Sequence, residues 1–151
     1  MEIRRSTPAD APDIAVAEEL IFSDPWCERA ITDLISTEGA MCYTAKDGDK
    51  VIAYVLGRII APEGEIYRIA TLPEYRKRGI AYRLLDYAYK TERGHGLEVL
   101  FLEVRTQNKA ARALYRAYGF DEVGVRKNYY KDPVDDAIIM IRQEQPYSNT
   151  F

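Results

Sequence analysis

The sequence predicts an α/β domain: a mixed, mostly antiparallel sheet of about seven strands flanked by about four helices. Three observations carry this. A strand, a crossover helix and a second strand follow one another from Ile66 to Arg105, which calls for one parallel pair. Two strands around Asp47-Gly48 read as an antiparallel hairpin, although the loop reads as longer than the tightest hairpin. Four stretches repeat apolar residues at helical rather than strand spacing.

Taken in order, Ile3 to Arg5 reads as a short strand, and Thr7-Pro8-Ala9-Asp10 supplies a cap, an early proline and a first-turn acid. The helix that follows is expected to bury Ile14, Ala17 and Ile21, with Leu20 beside them, and to show Glu18 and Glu19 to water. Phe22 to Trp26 is a turn, and Ile31, Leu34 and Ile35 mark a second helix ending near Glu38-Gly39. Strands are expected over Met41 to Ala45, Lys50 to Ile60, with a bulge at Leu56-Gly57-Arg58, and Ile66 to Thr71. Ala81, Leu84, Leu85 and Ala88 face a sheet from a third helix, and Val99 to Arg105 is the next strand. Asn108 opens a fourth helix with Ala110, Ala113, Leu114 and Ala117 inward, and Phe120 to Val125 and Asp136 to Arg142 close the sheet. The expected domain spans residues 1–142, with Gln143 to Phe151 as a mobile tail.

The chain's 151 residues suit one domain, which at that size buries roughly 70% of its unfolded surface. An apolar content of 47% with 30% charged residues is globular, and no apolar run approaches the ~20 residues of a membrane span. With no signal-peptide pattern at Met1 to Ser6, a cytoplasmic protein is expected. A net charge of −3 disfavours direct nucleic-acid binding, which rests on a basic face, and suits a basic peptide partner. Cys27 and Cys42 match no metal-ligand spacing and His95 is the single histidine, so no metal is expected.

The stretch that organises the chemistry runs from Ile66 to Ala88. Arg76, Lys77 and Arg78 precede Gly79-Ile80-Ala81-Tyr82, placing positive side chains beside a helix N-terminus whose free N–H groups already favour an anion. This reads as a phosphate cradle. The spacing Arg-x-x-Gly-x-Ala is neither a P-loop nor a dinucleotide fingerprint. It resembles the acetyl-coenzyme A signature of the GNAT superfamily of N-acetyltransferases.

A second cluster lies downstream. Strand alternation puts Phe101, Glu103 and Arg105 on one face, and a mid-strand carboxylate needs a partner or a purpose; Glu103 and Arg105 pairing with each other is one reading. On the next helix, Asn108 and Tyr115 share a side separate from the inward one, as a cap and a boundary aromatic or as functional groups. The string Glu103-Val104-Arg105-x-x-Asn108-x-x-Ala111-x-x-Leu114-Tyr115-x-x-x-Gly119-Phe120, followed by Arg126 to Tyr130 and Asp136 to Met140, resembles the RimI-type ribosomal-protein-alanine N-acetyltransferases. Asp24-Pro25-Trp26 and Ile69-Ala70-Thr71 join the resemblance, which spans Phe22 to Met140.

That resemblance implies the acyl-coenzyme A N-acyltransferase fold, acetyl-coenzyme A as cosubstrate and a protein N-terminus as acceptor, ordinarily the N-terminal alanine of a small-subunit ribosomal protein. It puts the base on Glu103 and the acid on Tyr115. Cofactor binding falls on Ile69, Ala70 and Thr71, on Arg76, Lys77, Arg78, Gly79, Ile80, Ala81 and Tyr82, and on Asn108. Asn128, Tyr129 and Tyr130 are expected to shape the peptide slot after the sixth strand, or to form an aromatic boundary cluster. Arg76 stands for the more frequent Gln, Ala81 for Gly, and Cys27 where Ser commonly follows Pro-Trp. The expected state is a monomer or weak dimer. Alternatives are a broader N-terminal or lysine acetyltransferase, and a non-catalytic acyl-coenzyme A sensor.

Overall fold

The computed structural model describes residues 1–144; the tail was expected from Gln143, but Gln143 ends the last strand, and the tail's residues 145–151 lie outside the described residues. Its seven-stranded sheet has the order β1-β2-β3-β4-β5-β7-β6. The strands are β1 (Glu2–Arg5), β2 (Tyr43–Asp47), β3 (Lys50–Ile60), β4 (Glu63–Thr71), β5 (Val99–Arg105), β6 (Asp121–Tyr130) and β7 (Asp135–Gln143). The helices are α1 (Ala11–Ile21), α2 (Glu28–Ile35), α3 (Ile80–Arg93) and α4 (Lys109–Ala117). Among the described residues, only β4 and β5 pair in parallel, as the crossover through α3 requires.

The sheet separates two cores. On one face α3 and α4 cover it, with Leu84, Leu85, Leu100, Leu102 and Met140 all but sealed from water, each such side chain contributing about 2 kcal/mol of burial. On the other, α1 and α2 pack Ile14, Ala17 and Ile31 against Cys42, Tyr54, Leu56 and Ala70.

Several local expectations change. Asp47 pairs with Lys50, so β2 and β3 are joined by the two residues Gly48 and Asp49, the tightest hairpin. The irregularity expected at Gly57 is present, but the register runs Leu56 to Arg68 and Gly57 to Ile66, so the extra residue is Tyr67 on β4. In α1 the acid at Glu18 is sealed in while Leu20 is exposed. In α4 the inward residues are Ala111, Leu114, Tyr115 and Tyr118, whereas Ala110, Ala113 and Ala117 face water. Large side chains at 111 to 118 claim the core side that the small alanines had suggested.

One feature of the sheet positions the site. β4 and β5 pair only over Glu63 to Ile66 and Val99 to Leu102. Past these residues β4 stays on β3 and β5 stays on β7, so the two strands diverge and open the middle of the sheet.

Candidate active site

The opening between β4 and β5 is a cleft of about 590 Å³ that takes side chains from both faces of the sheet. Glu65, Tyr67, Arg68 and Ile69 come from β4, Glu103 and Arg105 from β5, Asn108 and Tyr115 from α4, and Tyr129 and Tyr130 from β6. Phe22, Asp24 and Trp26 close it from the loop between α1 and α2.

Glu103 projects from β5 with 18% of its side chain exposed, and Arg126 Nε stands 3.0 Å from its carboxylate. Its partner is therefore not Arg105, which donates to the carbonyls of Lys131 and Pro133 and lies over the Tyr130 ring. The Glu103 charge is the main cause raising the Tyr129 hydroxyl; burial, then Glu103, pushes Tyr130 up to about 12.

Tyr115 is 5% exposed, and among the described residues its hydroxyl has no hydrogen-bond partner although the cleft reaches it. Burial, and then Tyr130, drives its pKa far above the ordinary value, so it stays protonated across the neutral range. A buried hydroxyl without a partner is costly, which points to a partner brought by a ligand.

Asn108 serves both readings: its side chain accepts from the Ala111 N–H as the cap of α4, and it lines the cleft. On β4, the Leu72 N–H donates to Ile52 O at 2.9 Å. Strand alternation therefore turns the N–H groups of Ile69 and Thr71 toward the open side and that of Ala70 toward β3. Ala70 is buried beneath α1 and α2 and presents no side chain to the cleft.

The basic loop approaches from the end of β4. Gly79 caps α3 with φ 75°, and a side-chain carbon added there would meet nothing within 4 Å, so space is open at the start of the helix, whose first N–H groups, those of Ile80, Ala81 and Tyr82, have no acceptor within α3. Arg76 donates to Thr71 O at 3.1 Å and Arg78 to Glu74 O at 3.0 Å, which holds both guanidinium groups on the loop. Lys77 takes a left-handed backbone with φ 65°, unusual for a lysine. This arrangement fits an anion as large as a pyrophosphate.

Asn128, Tyr129 and Tyr130 were expected after a strand. They lie within β6, where the register breaks between Arg126 and Tyr130 and Asn128 takes φ 52° with its N–H donating to Asp136 Oδ1. Tyr129 and Tyr130 line the cleft; Asn128 does not, and it acts on the local backbone. A second groove, of about 510 Å³, lies between α3 and the end of α4, but its polar groups satisfy one another: Tyr118 donates to Asp86 at 2.7 Å and Arg142 to Tyr118 O at 2.8 Å.

Sequence reasoning missed the support for the 22–26 loop. Glu18 accepts from Tyr54 (2.6 Å), the Trp26 N–H (2.9 Å) and Arg68 (3.1 Å). Arg68 also holds Asp24 and covers the Phe22 ring at 3.9 Å, while Trp26 stacks on Tyr67. Glu18 lies four residues after Ile14 and three before Ile21, so the helical stripe itself placed an acid in the core. Glu65 was missed because the strand was expected from Ile66, three residues after β4 begins at Glu63.

The family model described as the acetyltransferase (GNAT) family matches residues 11–120. The chain belongs to this family. It is 38% identical over 142 residues to the N-alpha-acetyltransferase RimI of Mycobacterium tuberculosis, covering 90% of this chain and 88% of that one. It is 32% identical over 135 residues to the [ribosomal protein bS18]-alanine N-acetyltransferase of Escherichia coli K12, covering 87% and 89%. The crystal structure of the Escherichia coli ribosomal-protein-S18-alanine N-acetyltransferase superposes with a TM-score of 0.87 at 28% identity, over 99% of each chain. The GNAT chain is thus an N-acetyltransferase of RimI type with the fold expected of it. Among the described residues, no helix is long and apolar enough to cross a membrane.

Proposed function

We propose that this enzyme transfers the acetyl group of acetyl-coenzyme A to the N-terminal amine of a protein, the N-terminal alanine of a small-subunit ribosomal protein being the best-supported acceptor. The observation that carries the reading is the convergence of Glu103 and the unpartnered Tyr115 hydroxyl on an opening between two diverging strands. Its relatives' names point to the same chemistry.

In this reading the phosphates rest on Arg76, Lys77 and Arg78 and on the N–H groups of Gly79 to Tyr82, and the acyl arm follows the open side of β4 into the cleft. The N–H groups of Ile69 and Thr71 hydrogen-bond along that arm and at the thioester carbonyl, and Asn108 meets it from α4. The acceptor arrives from the side of the 22–26 loop, against Tyr129 and Tyr130, whose rings pack edge to face and line the cleft. Glu103, directly or through water, takes a proton from the amine, whose pKa of roughly 7.7–8.0 asks little of a carboxylate. The amine nitrogen then attacks the thioester carbon, the carbon–sulfur bond breaks, and the Tyr115 hydroxyl gives its proton to the sulfur. A ribosomal acceptor places the reaction in the cytoplasm.

The test is thiol release from acetyl-coenzyme A with an Ala-initiated basic peptide. Glu103→Gln is expected to lower turnover by roughly 10² to 10⁴ with acceptor binding retained; unchanged turnover would remove Glu103 from the role. Equal rates on peptides starting with Ala, Met or Ser would favour the broader N-terminal acetyltransferase.

A further inference from the structure

Glu103 meets its acceptor with its charge already engaged, since Arg126 pairs with it at 3.0 Å. A second carboxylate faces the same cleft and has no such partner. Glu65 stands opposite Phe101 in the short parallel pairing, which puts it on the Glu103 face of the sheet, diagonally adjacent to Glu103. It is half-buried, lines the cleft, and makes no ion pair among the described residues. Its surroundings hold Arg58 opposite on β3, Tyr67 on its own strand, Glu103 on β5, and Arg126 and Tyr129 on β6. Burial first, and then the Glu103 charge, raises its pKa.

A half-buried carboxylate that makes no ion pair is costly, and a cation brought by a ligand would offset that cost. Tyr115, 5% exposed, lines the same cleft, and its hydroxyl also lacks a partner among the described residues. The two groups mark the two ends of a transfer: one suits a cation, the other a group that accepts a proton.

We infer that Glu65 is the anchor for the acceptor's ammonium group, a primary ammonium at the start of an extended peptide, whose N–H donors it shares with Glu103. The inference deepens the proposed function and rests on it. The ammonium is bound as a cation, its presence offsets the repulsion between the two carboxylates, and one N–H proton then passes to a carboxylate oxygen, leaving a neutral amine. Arg126 keeps Glu103 from drawing the ammonium away from Glu65, so anchoring and proton removal fall on different strands.

The test uses the full chain saturated with coenzyme A, an Ala-initiated basic peptide, and the same peptide acetylated at its α-amine. The intact protein is expected to bind the free-amine peptide at least tenfold more tightly than its blocked twin. Glu65→Gln should erase most of that ratio and raise the acceptor KM about tenfold, with coenzyme A affinity unchanged as evidence of folding, and Glu65→Asp should restore part of it. Glu103→Gln should instead lower kcat and keep the ratio. A Glu65→Gln protein that still discriminates the two peptides, or that loses kcat at constant KM, overturns the anchor alone. No acetylation of any free-amine peptide by the unaltered protein overturns the proposed function with it.

Discussion

Glu18 on α1 accepts a hydrogen bond from Arg68 on β4 at 3.1 Å, and this pair, sealed on the glutamate side, fastens the loop that roofs the cleft. Glu18 also receives the Tyr54 hydroxyl and the Trp26 N–H, so removing its carboxylate leaves three donors unsatisfied. Glu18→Ala is expected to lower stability by about 3–5 kcal/mol in urea denaturation, the range for breaking a buried pair. Arg68→Ala leaves the sealed Glu18 carboxylate without its cation and should cost a comparable amount, and it should raise the acceptor KM while leaving coenzyme A affinity alone, because Arg68 holds Asp24 and Phe22 rather than the phosphate loop. Equal effects on both substrates would argue against a loop-positioning role.

Tyr115 offers an unusual separation of stability from chemistry. Its hydroxyl has no partner among the described residues, so Tyr115→Phe removes an unpaired polar group and should leave stability within about 0.5 kcal/mol or raise it slightly. Turnover should still fall by roughly 10² to 10⁴ if the hydroxyl protonates the leaving sulfur. Thermal unfolding and single-turnover kinetics on one preparation check both. A destabilised variant with normal turnover would make Tyr115 a packing residue.

Two glycines allow the phosphate loop to be tested against a matched control. Gly79, φ 75°, and Gly48, φ 62°, both sit in left-handed backbone with nothing within 4 Å of an added side-chain carbon. Alanine at either should therefore cost about 1–2 kcal/mol through backbone strain alone. Only Gly79→Ala should also weaken coenzyme A, by several-fold in calorimetry, because only there would the methyl group face the phosphates.

Asp10 provides a pH signature remote from the cleft. Burial opposes its charged form, but bidentate hydrogen bonds from Arg4 at 2.8 and 2.9 Å and the Thr7 N–H at 2.8 Å outweigh it and hold the carboxyl below its usual range. A lowered folded-state pKa means the stabilisation is fully present above the unfolded value near 4 and is lost as pH falls through the folded value. Asp10→Asn is expected to cost about 1–3 kcal/mol at pH 7, with the gap to the unaltered protein narrowing steadily below pH 4. A gap that persists unchanged at pH 2.5 would assign the cost to shape rather than charge.

Periodicity, caps and turn residues located all seven strands and four helices, and the spacing of Arg76, Gly79 and Ala81 marked the loop to which the proposed function assigns the phosphates. These are local properties. What stayed hidden depends on residues far apart in the chain meeting: Glu103 choosing Arg126 over Arg105, Glu65 sitting diagonal to Glu103, and Arg68 tying β4 to α1. Tyr115 was assigned to the outer side of its helix because alanines resemble a packing stripe, yet the larger Tyr115 and Tyr118 rings gain more from burial and take the core face. The bulge was traced to Gly57, where the backbone is permissive, while the extra residue went to Tyr67 across the ladder.

The central claim is that the cleft between β4 and β5 acetylates a protein N-terminus. The most direct measurement is mass spectrometry of two peptides incubated with the protein and acetyl-coenzyme A: an Ala-initiated basic peptide, and the same peptide blocked at its α-amine but keeping its lysines. The account predicts one acetyl group, on the α-amine of the first peptide, and none on the second. Acetylation of the blocked peptide would move the activity to lysine, and coenzyme A binding without transfer to either would contradict an N-terminal acetyltransferase.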